Sequence, residues 1–200
     1  MLKPCRSLLL ALALLAGPVP QAVADVPPAS AATRRAAEAG DAEAQFRLGQ
    51  AYDQGVLIRE NDKLAAKWYR RAAKQGHAQA QYALGELYRF GTGVTQNHAE
   101  TFRLMTLAYQ QGLLPARVAL GECYLYGMGT PKDQTRARAL FQEAADLGYS
   151  DGYFYLGQVY RGGLGVPVDR DRAIAHFRRA LEIGHPEAAM ALREMGVAVP

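Results

Sequence analysis

The chain has 200 residues, of which 50% are hydrophobic and 21% are charged, and its formal net charge is +4. Basic and acidic residues are interleaved and form no blocks. The sequence therefore lacks the charge pattern of a nucleic-acid binder or of a protein that binds anionic membranes.

The first 24 residues predict a secretory signal peptide. Lys3 and Arg6 precede an apolar run at residues 8–16, which is too short to span a bilayer. Ala22 and Ala24 form a signal-peptidase site, so we expect cleavage after Ala24 and a periplasmic or secreted protein. Cleavage removes two basic residues and no acid, which lowers the formal charge from +4 to +2. The alternative is an uncleaved N-terminal anchor.

Behind this segment the sequence repeats with a period of 36 residues and no insertion. The glycines that mark the period are Gly40, Gly76, Gly112, Gly148 and Gly184. A leucine recurs at a fixed place between them, in Leu48, Leu84, Leu120, Leu156 and Leu192. A period of this length predicts stacked supersecondary units rather than one globular core.

Each unit predicts two helices. In the unit 41–76 an apolar stripe at helical spacing indicates a first helix from about Ala42 to Gln54, closed by Gly55. A short loop leads to Asn61, whose side chain is expected to cap a second helix, and Gly76 ends that helix. The cap column is Asn61, Asn97, Asp133 and Asp169.

The units divide the chain into five parts. We predict a signal peptide at 1–24, a mobile leader with the helix of a half repeat at 25–40, and a closing helix and tail at 185–200. Four full repeats lie between, at 41–76, 77–112, 113–148 and 149–184.

The repeated pattern resembles the Sel1-like repeat, a relative of the tetratricopeptide repeat. The matching residues are A-x-x-x-L-G-x-x-Y in the first helix, G-x-G-V in the loop and A-x-x-x-[YF]-x-x-A-x-x-x-G in the second helix. Two positions depart from it: Leu57 replaces a loop glycine and Thr101 replaces a helix alanine. The resemblance implies an all-α, right-handed α-solenoid of antiparallel helix pairs. It also implies a role in protein interaction, often in the bacterial periplasm.

The sequence offers little for catalysis, and we predict no enzyme, no cofactor and no metal. Ser30 and Ser150, the only serines beyond the signal peptide, are not part of a catalytic serine motif. The four histidines lack metal-ligand spacing. Cys123 lies in a packing column and is interpreted as a buried apolar residue.

The surface is the better guide to function. If the first helices line the inner wall, as the resemblance implies, four columns point into a concave groove. We predict that partner-binding residues come from these columns and from the adjoining column 54, 90, 126 and 162. They are Tyr82, Arg89, Phe90, Tyr126, Phe154 and Arg161. The alternative for the aromatic column, Phe46, Tyr82 and Phe154, is that the rings seal the helix pairs.

The function that the sequence favours is a periplasmic interaction module that binds a protein or peptide in the groove, as an adaptor, regulator or assembly factor. We expect a monomer, no nucleic-acid partner and no membrane insertion after signal cleavage. One alternative is an immunity-type inhibitor of a toxic enzyme. A second is a β-lactam or cell-wall hydrolase.

Overall fold

The computed structural model describes residues 30–55 and 58–199, and in these ranges the chain forms ten α-helices and no strand. The helices are α1 Ala31–Glu38, α2 Ala42–Gln54, α3 Asp62–Lys74, α4 Ala78–Phe90, α5 His98–Gln110, α6 Leu114–Tyr126, α7 Gln134–Asp146, α8 Ser150–Gly162, α9 Arg170–Glu182 and α10 Ala188–Glu194. The predicted signal peptide and Leu57 lie outside the described residues.

Eight of these helices form the four predicted hairpins, α2–α3, α4–α5, α6–α7 and α8–α9. The predicted limits of the first helix, Ala42 and Gln54, are confirmed. Each first helix ends at a glycine in the left-handed conformation, with φ between 64° and 75°. The Asn or Asp side chain of the cap column accepts a hydrogen bond from the third amide beyond it, 2.9–3.1 Å away.

The glycine that follows the recurring leucine lets the two helices of a hairpin approach closely. A Cβ at Gly121 would lie 2.5 Å from the ring of Phe141, and one at Gly49 would lie 2.6 Å from the ring of Tyr69. Both rings are almost fully buried. The second helix therefore lays an aromatic ring directly on the backbone of the first.

Neighbouring hairpins meet through the loop glycines. A Cβ at Gly93 would overlap the carbonyl of Asp62, at the start of the preceding second helix, and one at Gly129 would overlap the carbonyl of His98. Each helix packs chiefly on its neighbours in sequence. Buried apolar residues consequently form successive clusters along the stack and no single central core within the described residues.

One departure from the repeat pattern has a local explanation. Thr101 occupies an alanine column at the start of α5 and is completely buried. Its hydroxyl donates to the carbonyl of Gly85 at 3.2 Å or of Asn97 at 3.1 Å. The extra polar group is therefore satisfied, and it links the two helices of the second hairpin.

The stack carries a half repeat at each end. Helix α1 packs on α2, and Ser30 caps it. Helix α10 has seven residues, and the chain makes a turn at residues 186–187 before it begins. Met190 occupies the α10 position that corresponds to Phe154 one period earlier, yet it is 56% exposed. No described helix follows α10 to cover it.

We predict that Gly121→Ala destabilises the protein. The added methyl group must displace the buried ring of Phe141, and overpacking of this kind costs about 1–3 kcal/mol against a gain in helix propensity of about 1 kcal/mol. The matched control is Gly85→Ala, where the methyl meets the flexible end of Met105 at 2.8 Å. The urea midpoint should fall more in Gly121→Ala than in Gly85→Ala. Equal midpoints would show that the contact with the Phe141 ring does not make an added methyl group at position 121 more destabilising.

Candidate protein-interaction surface

The aromatic column lies at the junctions between repeats. Phe46, Tyr82, Val118 and Phe154 are all buried. Phe46 stacks on the ring of His77 at 4.6 Å between centroids, and Phe154 stacks on His185 at 4.1 Å. Nδ1 of His77 also accepts the amide of Ala80, so this ring caps α4 while it covers Phe46. Within the hairpins, the Phe46 ring lies 5.8 Å from that of Tyr69 and the Phe154 ring 5.5 Å from that of Phe177, which supports the alternative that the rings seal the helix pairs.

The last predicted column also differs from the expected inner wall. Asp53 is buried and accepts a hydrogen bond from the hydroxyl of Tyr69 at 3.3 Å, and Leu125 is buried as well. The two arginines of this column, Arg89 and Arg161, instead reach the next repeat, where they pair with Glu122 and Glu194.

Arg89 joins the second repeat to the third. Its Nη1 and Nη2 donate to the two carboxylate oxygens of Glu122 at 2.8 and 2.6 Å, a bidentate pair. Burial acts to lower the pKa of Arg89, but the hydrogen bonds and charge of Glu122 outweigh it and raise that pKa above its ordinary value. Arg161 makes the equivalent ion pair with Glu194 at 2.8 Å, in an exposed setting.

Glu86 lies beside this pair and is poorly compensated. Its Oε1 is 3.6 Å from Nη1 of Arg89, and this buried oxygen has no hydrogen-bond partner among the described residues. Burial, together with the charge of Glu122, raises the pKa of Glu86 to about 7, although Arg89 opposes the rise. Because the folded-state pKa exceeds the ordinary value of 4.5, the stability that protonated Glu86 contributes is present below about pH 4.5 and is lost as the pH rises through about 7.

Groups two repeats apart interact across this face. Burial is the main cause of the raised pKa of Tyr82 on α4, and the charge of Asp151 on α8 adds to it. Tyr155 on α8 is likewise among the groups that raise the pKa of Arg89 on α4, against the opposing effect of burial. Helices α4 and α8 are separated by a whole hairpin. Side chains of helices this far apart come near each other on the inner side of a curved stack, so we interpret this face as the concave one.

Two exposed rings border the face at the C-terminal ends of α4 and α6. Phe90 is 47% exposed and Tyr126 is 53% exposed. The guanidinium of Arg89 lies 5.1 Å from the centre of the Phe90 ring. Burial and the charge of Glu122 raise the pKa of Tyr126, and the charge of Arg89 opposes the rise. The structure therefore brings together three predicted residues, Arg89, Phe90 and Tyr126, around Glu122.

The other predicted residues lie apart from this group. Tyr82 is on the same face but is mostly buried, Phe154 is covered by His185, and Arg161 lies one junction further along with Glu194. Sequence reasoning did not select Glu86 and Glu122 as site residues. The available signal was that these two acids stand 36 residues apart in one inner-wall column.

Groups suited to other chemistry are sparse in the described part of the chain. Cys123 is a free, buried thiol whose pKa is raised to about 12, mainly by burial. No cluster of three His, Cys, Asp or Glu side chains there could hold a metal ion. No described helix is long and apolar enough to cross a membrane.

A curved stack of helix pairs with a polar inner wall defines an α-solenoid of the repeat-protein class. Four consecutive stretches match the Sel1 repeat model, at residues 42–77, 78–113, 114–149 and 150–185. The chain belongs to the Sel1 repeat family.

Solved structures agree with this assignment. A Sel1 repeat protein from Oxalobacter formigenes is 32% identical, with a TM-score of 0.75, and the match covers 83% of this chain and 68% of that one. The protective antigen c5321 of uropathogenic Escherichia coli is 34% identical, with a TM-score of 0.70, over 83% of this chain and 37% of that one. This chain therefore spans little more than a third of the second relative.

A more distant likeness shows the fold alone. The immunity protein Pa5087 from Pseudomonas aeruginosa is 21% identical, with a TM-score of 0.55, over 88% of this chain and 71% of that one. No curated protein sequence gives a significant match.

The two equivalent ion pairs predict a contrast in stability. The Glu122 side chain is 9% exposed, whereas that of Glu194 is 54% exposed. Glu122→Gln should cost about 1–3 kcal/mol, because a partly buried guanidinium loses its counterion, and Glu194→Gln should cost less than about 1 kcal/mol. Urea unfolding at pH 6, where Glu86 is mostly protonated, measures both. If Glu194→Gln lowered the free energy of unfolding as much as Glu122→Gln, burial would not explain the strength of the Arg89–Glu122 pair.

Proposed function

We propose that this protein is a periplasmic interaction module that binds a partner polypeptide on its concave face, as an adaptor, regulator or assembly factor. The observation that carries the proposal is the exposure of Phe90 and Tyr126 beside the Arg89–Glu122 pair. Aromatic rings lose little conformational entropy on binding and are frequent anchors in interfaces.

The surroundings of these rings suit recognition. They project from the ends of helices that are fixed by the bidentate ion pair, so the surface is organised before a partner arrives. Carboxylates and hydroxyls line the adjoining wall and can hydrogen-bond to a polypeptide. An apolar border next to a polar wall is the composition expected of a groove that binds an extended chain or a helix.

We also propose that the protein acts by binding and not by catalysis. The Arg89 guanidinium and the Glu122 carboxylate are engaged with each other, and the Cys123 thiol is buried and protonated at neutral pH. The ion pair links two repeats and the thiol lies in the apolar core, which supports a structural role for these groups.

The periplasmic location predicts a defined mature protein. In a Gram-negative host, the chain recovered from the periplasmic fraction should begin at Asp25, as measured by intact-mass spectrometry. Ala24→Leu should block processing, because the peptidase requires a small residue there. Ala32→Leu, beyond the site, serves as the control. Recovery of the uncleaved chain from the cytoplasm would contradict the location.

The groove predicts a specific loss of binding. Phe90→Ser with Tyr126→Ser should weaken capture of the partner by at least about tenfold, the loss expected for removal of one or two aromatic anchors. Partners are identified by crosslinking in the periplasm, and the purified pair is then measured by calorimetry.

The matched control removes two exposed apolar residues elsewhere. Leu147 and Ile183, at the ends of second helices, are 58% and 40% exposed. Leu147→Ser with Ile183→Ser should leave binding unchanged. Unaltered helical circular dichroism in both double variants excludes unfolding as the cause. Equal loss in the two variants, or in neither, would place the binding surface elsewhere.

A further inference from the structure

An open pocket lies at the junction of the first two repeats. It has a volume of about 430 Å³, and small-molecule sites occupy about 300–1,000 Å³. Helix α3 forms one wall, the end of α4 contributes Tyr88, and the loop before α5 forms the other side. The lining residues are Lys63, Ala66, Arg70, Tyr88 and residues 93–97. None of them belongs to the group around Arg89 and Glu122 on the concave face.

The wall on α3 places a small residue between two cations. Lys63, Ala66 and Arg70 are spaced three and four residues apart, so they share one face of the helix. Ala66 is buried, and its short side chain leaves space between the two long ones. Across the pocket, Nη2 of Arg70 donates to the hydroxyl of Tyr88 at 3.1 Å. This hydrogen bond holds the guanidinium at the pocket.

The same place is filled one period later. Phe102 stands where the first repeat has Ala66, and Tyr124 is the counterpart of Tyr88. The Phe102 ring meets the Tyr124 ring edge-on, at 5.4 Å between centroids. Tyr124 is therefore buried, whereas Tyr88 is only half-buried and borders the pocket.

The two cations disappear together with the space. Ala99 and Thr106 occupy the positions of Lys63 and Arg70 in the second repeat. The second repeat packs on the third without either the cavity or the charges. The combination in the first repeat is consequently not a requirement of stacking, and this difference indicates a separate use.

The protein does not balance the positive charge of this wall. Helix α3 carries five basic residues and one acidic residue, whereas α5 and α7 each carry equal numbers of Lys or Arg and of acids. Neither Lys63 nor Arg70 forms an ion pair with any described residue. Glu100, in the helix that follows the pocket loop, is engaged by Nη2 of Arg103 at 2.8 Å.

Uncharged donors lie beside the two cations. The Tyr88 hydroxyl accepts from Arg70 and retains its own hydrogen for another acceptor. Asn97 caps α5 through Oδ1, which leaves its NH2 group as a donor. Thr95 adds an exposed hydroxyl to the lining. These groups suit a ligand that has several acceptor oxygens.

A phosphate monoester matches these groups better than a carboxylate does. Near pH 7 its phosphate carries a charge of about −1.5 to −2 and three strong acceptor oxygens. That charge corresponds to the two cations, and the oxygens can accept from both cations and from the neutral donors. A carboxylate has one charge and would leave one cation unbalanced. The cavity is also larger than a phosphate group alone, so it has room for the organic part of an ester.

A related pocket two repeats further along has a different charge balance. It measures about 280 Å³ and contains Tyr160, the counterpart of Tyr88. Arg138 and Arg172 line it, but Nε of Arg172 lies 3.2 Å from Oδ2 of Asp169, which neutralises that arginine. We expect the larger pocket to be the stronger anion site.

We infer that the pocket between Lys63, Arg70 and Tyr88 binds the phosphate group of a small phosphate monoester. The phosphate oxygens accept from Nζ of Lys63, from the guanidinium of Arg70 and from the hydroxyl of Tyr88. The site is separate from the concave face, and it requires no polypeptide partner. Its failure would leave the proposed groove untouched.

Binding is measured by NMR titration of the ¹⁵N-labelled protein with glycerol 3-phosphate, at a pH of about 8, where the phosphate is almost fully ionised. Constant ionic strength suppresses the general attraction of basic helices for anions. We expect saturable shifts at the amides of Tyr88 and residues 93–97, with a dissociation constant of about 1 mM or lower. Shifts that do not saturate, or that spread equally over the other repeats, would overturn the site.

Three further ligands test the chemistry of the bound group. Dimethyl phosphate has one charge and malonate has two carboxylates, and each should bind at least about tenfold more weakly than glycerol 3-phosphate. Inorganic phosphate should shift the same amides with no higher affinity than the ester. Equal affinity for malonate would overturn the assignment to phosphate. Tighter binding of inorganic phosphate would show that the cavity does not accommodate the organic part of an ester.

Ala66→Phe fills the pocket without a change of charge. It copies the residue that the chain itself carries at position 102, so we expect helical circular dichroism and the melting temperature to be retained. Affinity for glycerol 3-phosphate should fall at least about tenfold. Undiminished affinity in the folded variant would show that the ligand does not occupy this cavity.

A second pair of variants keeps the test valid if the phenylalanine is not tolerated. Lys63→Gln with Arg70→Gln removes both pocket cations and should weaken binding at least about tenfold. Lys67→Gln with Lys74→Gln is the matched control, because it removes the same charge from exposed positions of the same helix outside the pocket. Its affinity should stay within about twofold of the unmodified protein. Equal losses in the two variants would assign binding to the overall charge of α3 and overturn the inference.

Discussion

The structure depends on the close contact between a glycine backbone and an aromatic or methionine side chain inside each hairpin. Where Gly121 meets Phe141, the two helices are too near for even a methyl group. This proximity lets a 36-residue unit bury a large ring completely, although the unit has little volume of its own. The remaining apolar surface must be covered by the next unit, so the stability of each repeat is shared with its neighbours.

The same requirement shapes the concave face. Side chains that cover a neighbouring unit lie close to side chains that face the groove, and the two roles merge in residues such as Arg89. Its pair with Glu122 ties two repeats together while it holds one edge of the inner wall. Glu86 stands next to that pair without a full partner. A surface that is held rigid in this way is suited to recognition, since a partner can bind without the cost of reordering the site.

The elements were predictable because their signals are local and recur in every unit. Ala42, Gln54 and the cap Asn61 occupy the predicted positions, since caps and glycine stops act within one turn of the helix. The burial of Asp53 and the stacking of Phe154 on His185 were not predictable in the same way. They depend on how helices pack against one another within and between repeats, and a helical wheel drawn for a single helix does not contain that geometry. Glu122 was missed for the same reason, because its partner lies 33 residues earlier on another helix.

The repeated construction leaves an uncovered packing position at Met190 on α10. It holds the place of a stacking ring, but its side chain faces solvent where Phe154 meets a histidine. An additional hairpin that begins with a planar residue could be grafted after α10, and that residue would pack on the exposed side chain of Met190. Protein engineers could thus lengthen the rod one step at a time and extend the curved surface, with no alteration to the units that come before.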